Sequence, residues 1–494
     1  MRRLLLGIVL CAVSCGAESV QSSDLANWTA SGKQEVARAE WWGYRADDAT
    51  GALRQALASG AKKLVISRQA GPWVVTEPLR LPSDMEIIFE DGAEIRAAGG
   101  AFKGRNDSLL VGRDCRNLTL RGKGILRMNR SDYRDPKKYT PAEWRNCLTI
   151  MGGRNILVDG LSMLESGGDG IYLNNVEDTV IRNVLCDRNY RQGISVISAV
   201  RLRILDSAFL NTDGTAPMAG IDFEPNKSSE KLVDCLVERC RFAGNTGAGI
   251  EFALVCLTKN SAPISVTIRD CEIVDNRKGG VFLINRRTPG PRGEIIFENC
   301  RIGGVGNVAF RAEGQLADGY SVRLTNCTID NTKMKSSASV ELSARMVNGT
   351  CGNMTFDNVT ATDGKPGARA FAFDGLRIFA LDRLQGAIVL NGKSIDLAEY
   401  AALSRERQVS APRLNLETLK PVGGSTAKGV TPAANMVRGP FTFVQYAEPG
   451  SEIAVKATLK PVGANRRNAS IAVTAPDGSA VGTYEITLGD TAQE

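Results

Sequence analysis

Five glycine-led segments decide the fold: GGDGIYL from Gly167, RQGISVI from Arg191, AGIDFEP from Ala219, AGIEFAL from Ala248 and GGVFLIN from Gly279. Their Gly-Ile or Gly-Val steps fall at Gly170, Gly193, Gly220, Gly249 and Gly280. Recurrence every 20 to 50 residues is the signature of stacked units, and strand-like units at this period predict a parallel β-solenoid. Working outward, a second motif falls between the copies of the first. It reads LTLRGKGIL at Leu118, LVDGLSM at Leu157, VIRNVLC at Val180, RILDSAF at Arg203, LVERCRF at Leu236, TIRDCEI at Thr267, IFENCRI at Ile296, RLTNCTI at Arg323 and TFDNVTA at Thr355. Apolar and polar residues alternate and then meet Asp, Asn or Gly, which is how short strands and their turns are written. Each coil then has at least two strands. The expected fold is an all-β, right-handed parallel β-helix of nine or ten coils, the hand following from crossover chirality.

Alternation assigns the sides. With Ile171, Ile194, Ile221, Ile250 and Val281 inward, so are Leu173, Val196, Phe223, Phe252 and Leu283. The outward column is then Tyr172, Ser195, Asp222, Glu251 and Phe282, with Glu224 further along the strand from Asp222. Carboxylates on neighbouring coils repel, so at least one is expected to hold its proton. A protonated carboxyl beside an ionised one is what glycosidic hydrolysis requires. Asp222, Glu224 and Glu251 are the expected acid and base groups, and Asp169 a further acid or a substrate ligand. Tyr190 and Arg191, on the coil between Asp169 and Asp222, are expected to bind substrate, as is Tyr172. The alternative for Asp222, Glu224 and Glu251 is a Ca²⁺ site serving a lyase or epimerase, with Arg191 or Tyr190 near the base position. Lone acids such as Asp159, Asp206 and Asp270 are read as turn and surface residues.

Composition narrows the chemistry. There is no histidine, so the commonest general base and every Ser-His or Cys-His arrangement are excluded. No metal or cofactor is required by the acid/base reading. A net charge of +7, two of it from Arg2 and Arg3, is too dilute over 494 residues to argue for nucleic acid. Met1-Arg2-Arg3, the apolar run from Leu4 to Val13 and the small residues to Ala17 predict a secretory leader over 1–17. Ala12-Val13-Ser14-Cys15 also approaches a lipid-attachment pattern, which makes an anchor at Cys15 the alternative. No later stretch is long and apolar enough for a membrane span. Cys240, Cys271, Cys300 and Cys327 share one repeat position and are expected to stack as buried thiols, since parallel neighbours orient poorly for disulfides.

The ends and loops follow. Asp47 to Ser59 is expected to be an amphipathic helix covering the first coil, with strands at Lys63–Ile66, Trp73–Thr76 and Met85–Phe89. Between Asn106 and Asn146 a polar excursion carries Tyr133, Trp144 and Arg145; Trp144 and Arg145 are expected to bind substrate, the aromatic ring by stacking on sugar, the alternative being that Trp144 packs the loop onto the body. The solenoid with its caps is assigned to 18–410, with Ile395 to Ser404 as a closing helix. A linker is assigned to 411–430 and a small β-sandwich-like module to 431–494.

The stretch from about Ala39 to Thr360 resembles the pectate-lyase-like superfamily of right-handed parallel β-helix proteins, in particular its polygalacturonase branch. The resemblance rests on DDATGALRQAL, IIFEDGAEI, LTLRGKGIL and GGDGI, in which Asp169 matches the branch's first aspartate motif. The coil matching the paired-aspartate motif reads Arg191-Gln192, and the coil matching Gly-His-Gly reads Met218-Ala219-Gly220. The resemblance therefore implies the fold, an exported carbohydrate-active protein and a polysaccharide partner. It does not carry over the branch's catalytic set. A non-catalytic glycan-binding surface solenoid is the remaining alternative.

Overall fold

The computed structural model describes residues 35–343, 351–374, 381–398, 420–422, 441–445, 455–461, 468–474 and 480–487. The expected leader over 1–17 lies outside them. A strand with one apolar face gains stability only by stacking, and here stacking yields a single 34-stranded sheet. It winds as three parallel ladders. The first runs through the Gly-Ile segments, from Leu79–Leu81 by way of Ile194–Val196, Ile221–Phe223, Ala248–Ala253 and Gly279–Ile284 to Arg369–Asp374. The second contains Lys63–Ile66, Ala199–Leu205 and Ile264–Arg269. The third contains short strands such as Trp73–Val75, Ser162–Leu164 and Arg241–Ala243. Each full coil thus has three strands, and the first ladder alone has eleven, more than the nine or ten coils expected.

The inward assignment holds throughout. Ile171, Ile194, Ile221, Ile250 and Val281 are fully buried, as are Leu173, Val196, Phe223, Phe252 and Leu283. The Phe223 and Phe252 rings stack with centroids 4.5 Å apart. Repeated glycine has a steric cause. A Cβ on Gly170 would sit 2.6 Å from the Gly193 carbonyl oxygen, and one on Gly220 2.7 Å from that of Gly249, so coils stack this closely only without a side chain. Asp206 and Asp270 adopt positive φ, 50° and 54°, which supports their reading as turn residues. All four stacked cysteines are free and buried. The Cys240 thiol and burial push the Cys271 thiol up to about 12, so it stays protonated at neutral pH.

The N-terminal end is covered by a helix at Thr50–Leu57, shorter than expected, with Ala52, Leu53, Ala56 and Leu57 buried. At the other end the expected helix starts two residues late, with Ile395 and Asp396 in a strand and Leu397 and Ala398 helical. Lys393–Asp396 folds back antiparallel on Leu381–Leu390, with Ile395 opposite Ile388. Residues 399–404 lie outside the described set. The C-terminal strands, Lys420–Val422 to Ala480–Thr487, form one five-stranded antiparallel sheet. Its first strand falls within the stretch read as linker, because Pro421 and Val422 pair with Tyr484 and Thr483. No helix among the described residues is long and apolar enough to cross a membrane.

Candidate functional site

Backbone pairing aligns Tyr172, Ser195, Asp222, Glu251 and Phe282 on five successive coils, as the alternation predicts. They lie on the outer face of the first ladder, yet most are covered. Ser195 and Asp222 are 0% exposed, Glu251 5% and Phe282 8%. Part of the cover is the excursion before Asn146: its Asn146 Oδ1 accepts from the Asp169 N–H at 2.6 Å. The rest is long side chains folded over the sheet.

Arg191 is the hub. Its Nη2 donates to Glu224 Oε2 at 2.9 Å, its Nε lies 3.6 Å from Glu143 Oε2, and its Nη1 lies 3.9 Å from Asp169 Oδ1. Burial opposes the guanidinium charge, but Asp169 and Glu224 more than offset it and raise its pKa. Next to it, the Gln192 amide donates to Asp222 Oδ2 at 2.9 Å and accepts from the Ala219 N–H at 2.8 Å. The second bond fixes which end of the amide faces Asp222. On the following coil Lys278 Nζ holds Glu251 Oε2 at 2.8 Å and lies 4.7 Å from the Phe282 ring centroid.

These partners do not satisfy every oxygen. Asp222 Oδ1 and both carboxyl oxygens of Asp169 are buried without a hydrogen bond. Burial pushes the Asp169 carboxyl up to about 7, against the pull of Arg191 and of the nearby Ser195 hydroxyl, which makes no bond of ordinary geometry. Asp222 is raised well above the usual carboxylate range by burial and then by Glu224 and Glu251. Glu251 is raised by burial, with Lys278 opposing. Burial therefore favours the protonated form of Asp169, Asp222 and Glu251 beside the Arg191–Glu224 ion pair.

Of the residues singled out in sequence, Asp169, Arg191, Asp222, Glu224 and Glu251 come together, and Tyr172 borders them in the same column. Burial raises the Tyr172 phenol. The Arg191 guanidinium is shared among Glu143, Asp169 and Glu224. Arg145 is corrected outright. It is fully buried, donating to the carbonyls of Phe102, Lys103 and Thr140 between the Tyr133 and Tyr139 rings, and it organises its loop instead of meeting sugar. Tyr190 turns to another loop, where its ring packs on Gly214 and lies 5.9 Å from the Arg134 guanidinium. Trp144 stays exposed, at 39%, beside Glu143. Among the described residues no three acidic, cysteine or histidine side chains converge to hold a metal ion, and Arg191 and Lys278 already neutralise Glu224 and Glu251. Gln192, Lys278 and Glu143 were missed. A signal existed for Lys278, which stands two residues before Gly280 as Arg191 stands two before Gly193.

A family model described as right handed beta helix region matches residues 138–292. No curated protein matches the chain in sequence. Among solved structures, the A-module of a mannuronan C-5 epimerase from Azotobacter vinelandii superposes with a TM-score of 0.52 at 15% identity, covering 72% of this chain and 92% of that one. The surface adhesin PfbA of Streptococcus pneumoniae gives 0.50 at 13% identity, covering 72% and 90%. The Dettilon tailspike protein gives 0.50 at 13%, covering 89% and 78%. At such identities the likeness is one of fold. Ladders, family match and superpositions agree: the chain is a right-handed parallel β-helix protein.

Proposed function

We propose that the chain is an exported enzyme acting on a polysaccharide, a glycoside hydrolase using carboxyl groups on adjacent coils. The observation that carries this reading is one cluster in which a fully buried carboxyl, Asp222, lies among acidic neighbours while a second, Glu224, is paired with an arginine. Asp222 is raised by burial and by its acidic neighbours, while Glu224 is ion-paired with Arg191 at 2.9 Å. Glycosidic cleavage needs an acid for the leaving oxygen and a carboxylate to activate water or attack the sugar. Asp222 takes the first role. Glu224, whose side chain is 26% exposed, takes the second. Asp169 holds a further proton, and Glu251, fixed by Lys278, helps keep Asp222 neutral. Trp144, 39% exposed beside Glu143, offers a stacking surface for a sugar ring at the margin.

Two cations on this face, Arg191 and Lys278, favour a second reading as a uronate lyase or epimerase, since either reaction must offset a sugar carboxylate's charge. The Tyr190 phenol expected as its base packs instead against Gly214, with its ring 5.9 Å from the Arg134 guanidinium, which weighs against it. The test is a panel of polysaccharides, scored for new reducing ends and for the ultraviolet absorbance of unsaturated uronates. Hydrolysis gives the first alone and lyase cleavage gives both. Asp222→Asn and Glu224→Gln should each lower cleavage by about 100-fold or more. Wild-type rates in both variants would sink the assignment, and binding without cleavage would leave a glycan-binding solenoid.

A further inference from the structure

A second polar concavity lies on the third ladder. A cleft of about 370 Å³ is lined by Arg96, Arg127, Asn129, Arg130, Ser131 and Glu165, a size within the range of small-ligand sites. Arg96 and Arg127 pair across adjacent coils, so two guanidinium-bearing side chains leave the sheet side by side. Like charges so placed repel unless something negative stands between them. Glu94 supplies part of that, its Oε1 accepting from Arg96 at 2.6 Å and from Arg127 at 3.1 Å. Glu165 accepts from Arg127 at 3.2 Å but is shared with Arg188 at 3.0 Å. Both carboxylates are thus divided between arginines.

Arg130 is left over. It forms no ion pair among the described residues, and its side chain makes one hydrogen bond, from Nη1 to the Asp213 carbonyl at 3.0 Å. Its backbone is held in place, because the N–H groups of Met128 and Arg130 bond to the carbonyls of Leu164 and Glu165 on the next coil at 3.1 and 2.9 Å. A fixed guanidinium with unused donors, in a cleft of three arginines and few carboxylates, is a site for a planar or tetrahedral anion. We propose that this cleft binds the acidic group of a sugar, a uronate carboxylate or a sugar sulfate, with Arg130 as its principal cation. It lies outside the carboxylate cluster, and binding there does not depend on cleavage.

Calorimetry on the full chain tests this with four probes: a uronic-acid trisaccharide, the same trisaccharide with its carboxylates reduced to alcohols, a sulfated disaccharide, and sodium sulfate. One of the acidic sugars should bind and the reduced trisaccharide should not. Arg130→Gln should weaken that binding about tenfold, the cost of one charge-assisted hydrogen-bond partner, and Arg130→Lys should restore part of it. Which acidic sugar binds identifies the anion. The proposal fails if the reduced trisaccharide binds equally, if Arg130→Gln has no effect while its thermal midpoint matches wild type, or if sodium sulfate binds as tightly as either sugar. Glu224→Gln separates this from the proposed activity: it should abolish cleavage and leave this binding unchanged.

Discussion

Two charged columns run along the outside of the same coils, and they are built on opposite rules. On the second ladder Arg182 faces Asp159 at 2.8 Å, and Arg323 reaches Glu294 at 3.1 Å, with opposite signs on neighbouring coils and the arginine side chains 46% and 52% exposed to water. On the first ladder Asp222 faces Glu251, like against like and both buried, with Asp222 Oδ1 unpartnered. Exposed opposite charges solvate a solenoid and cost it little. Buried like charges cost stability, and their presence calls for a use. The same strand geometry thus carries a surface that serves the fold and a cluster that works against it.

The sharpest way to break this contrast is to remove the cation that holds the buried cluster. Arg191→Met leaves Glu143, Asp169 and Glu224 without their shared guanidinium, and breaking a buried ion pair costs about 3–5 kcal/mol. Urea denaturation at neutral pH measures it. Adding Glu224→Gln to that variant should recover part of the loss, because the stranded charge goes with it. A cost under about 1 kcal/mol would make the two columns equivalent.

Protonation provides the next test. The Asp169 carboxyl titrates at about 7 in the folded chain, against an unfolded value of 3.8. Between those two the unfolded chain has released the proton and the folded chain retains it, so folding stability falls as pH rises from about 4 to about 7 and levels off above. Asp169→Asn removes that dependence. The variant should gain on wild type progressively over this window, by on the order of 3–4 kcal/mol at its upper end. A stability difference that stays constant from pH 4 to pH 8 would remove Asp169 from the set of proton-holding groups.

Much of this fold was legible because its signals are periodic. Glycine at Gly170, Gly193, Gly220, Gly249 and Gly280 and alternation in the strands that follow fixed which residues point inward, and pairing reproduces that column by column. Beyond its first strand at Trp73–Val75 the third ladder was not legible, since strands of three residues such as Leu185–Asp187 read as the tail of the motif before them. Burial of the outward face was invisible for a different reason. It comes from the excursion before Asn146 and from Arg191 folding back on three carboxylates, neither of which repeats along the chain. Arg145 shows the converse error: a polar residue next to an exposed tryptophan looked like a sugar contact, but its guanidinium satisfies three loop carbonyls.

The smallest expected effect completes the contrast from the other column. Arg182 donates to one Asp159 oxygen through both Nε and Nη2, at 2.9 and 2.8 Å, while Asn183 donates to the other oxygen. Good geometry alone therefore does not distinguish this pair from Arg191 and Glu224. What differs is water: the Arg182 side chain is 46% exposed and that of Arg191 10%. Water already solvates most of the charge that Arg182→Gln would expose, so a double-mutant cycle with Asp159→Asn should give a coupling below about 1 kcal/mol. That coupling should shrink further in 1 M salt, where the screening length falls to about 3 Å. The Arg191–Glu224 coupling should barely respond to the same salt, because ions do not enter the covered face. Equal salt sensitivity in the two cycles would mean that the carboxylate cluster is as open to solvent as the surface column.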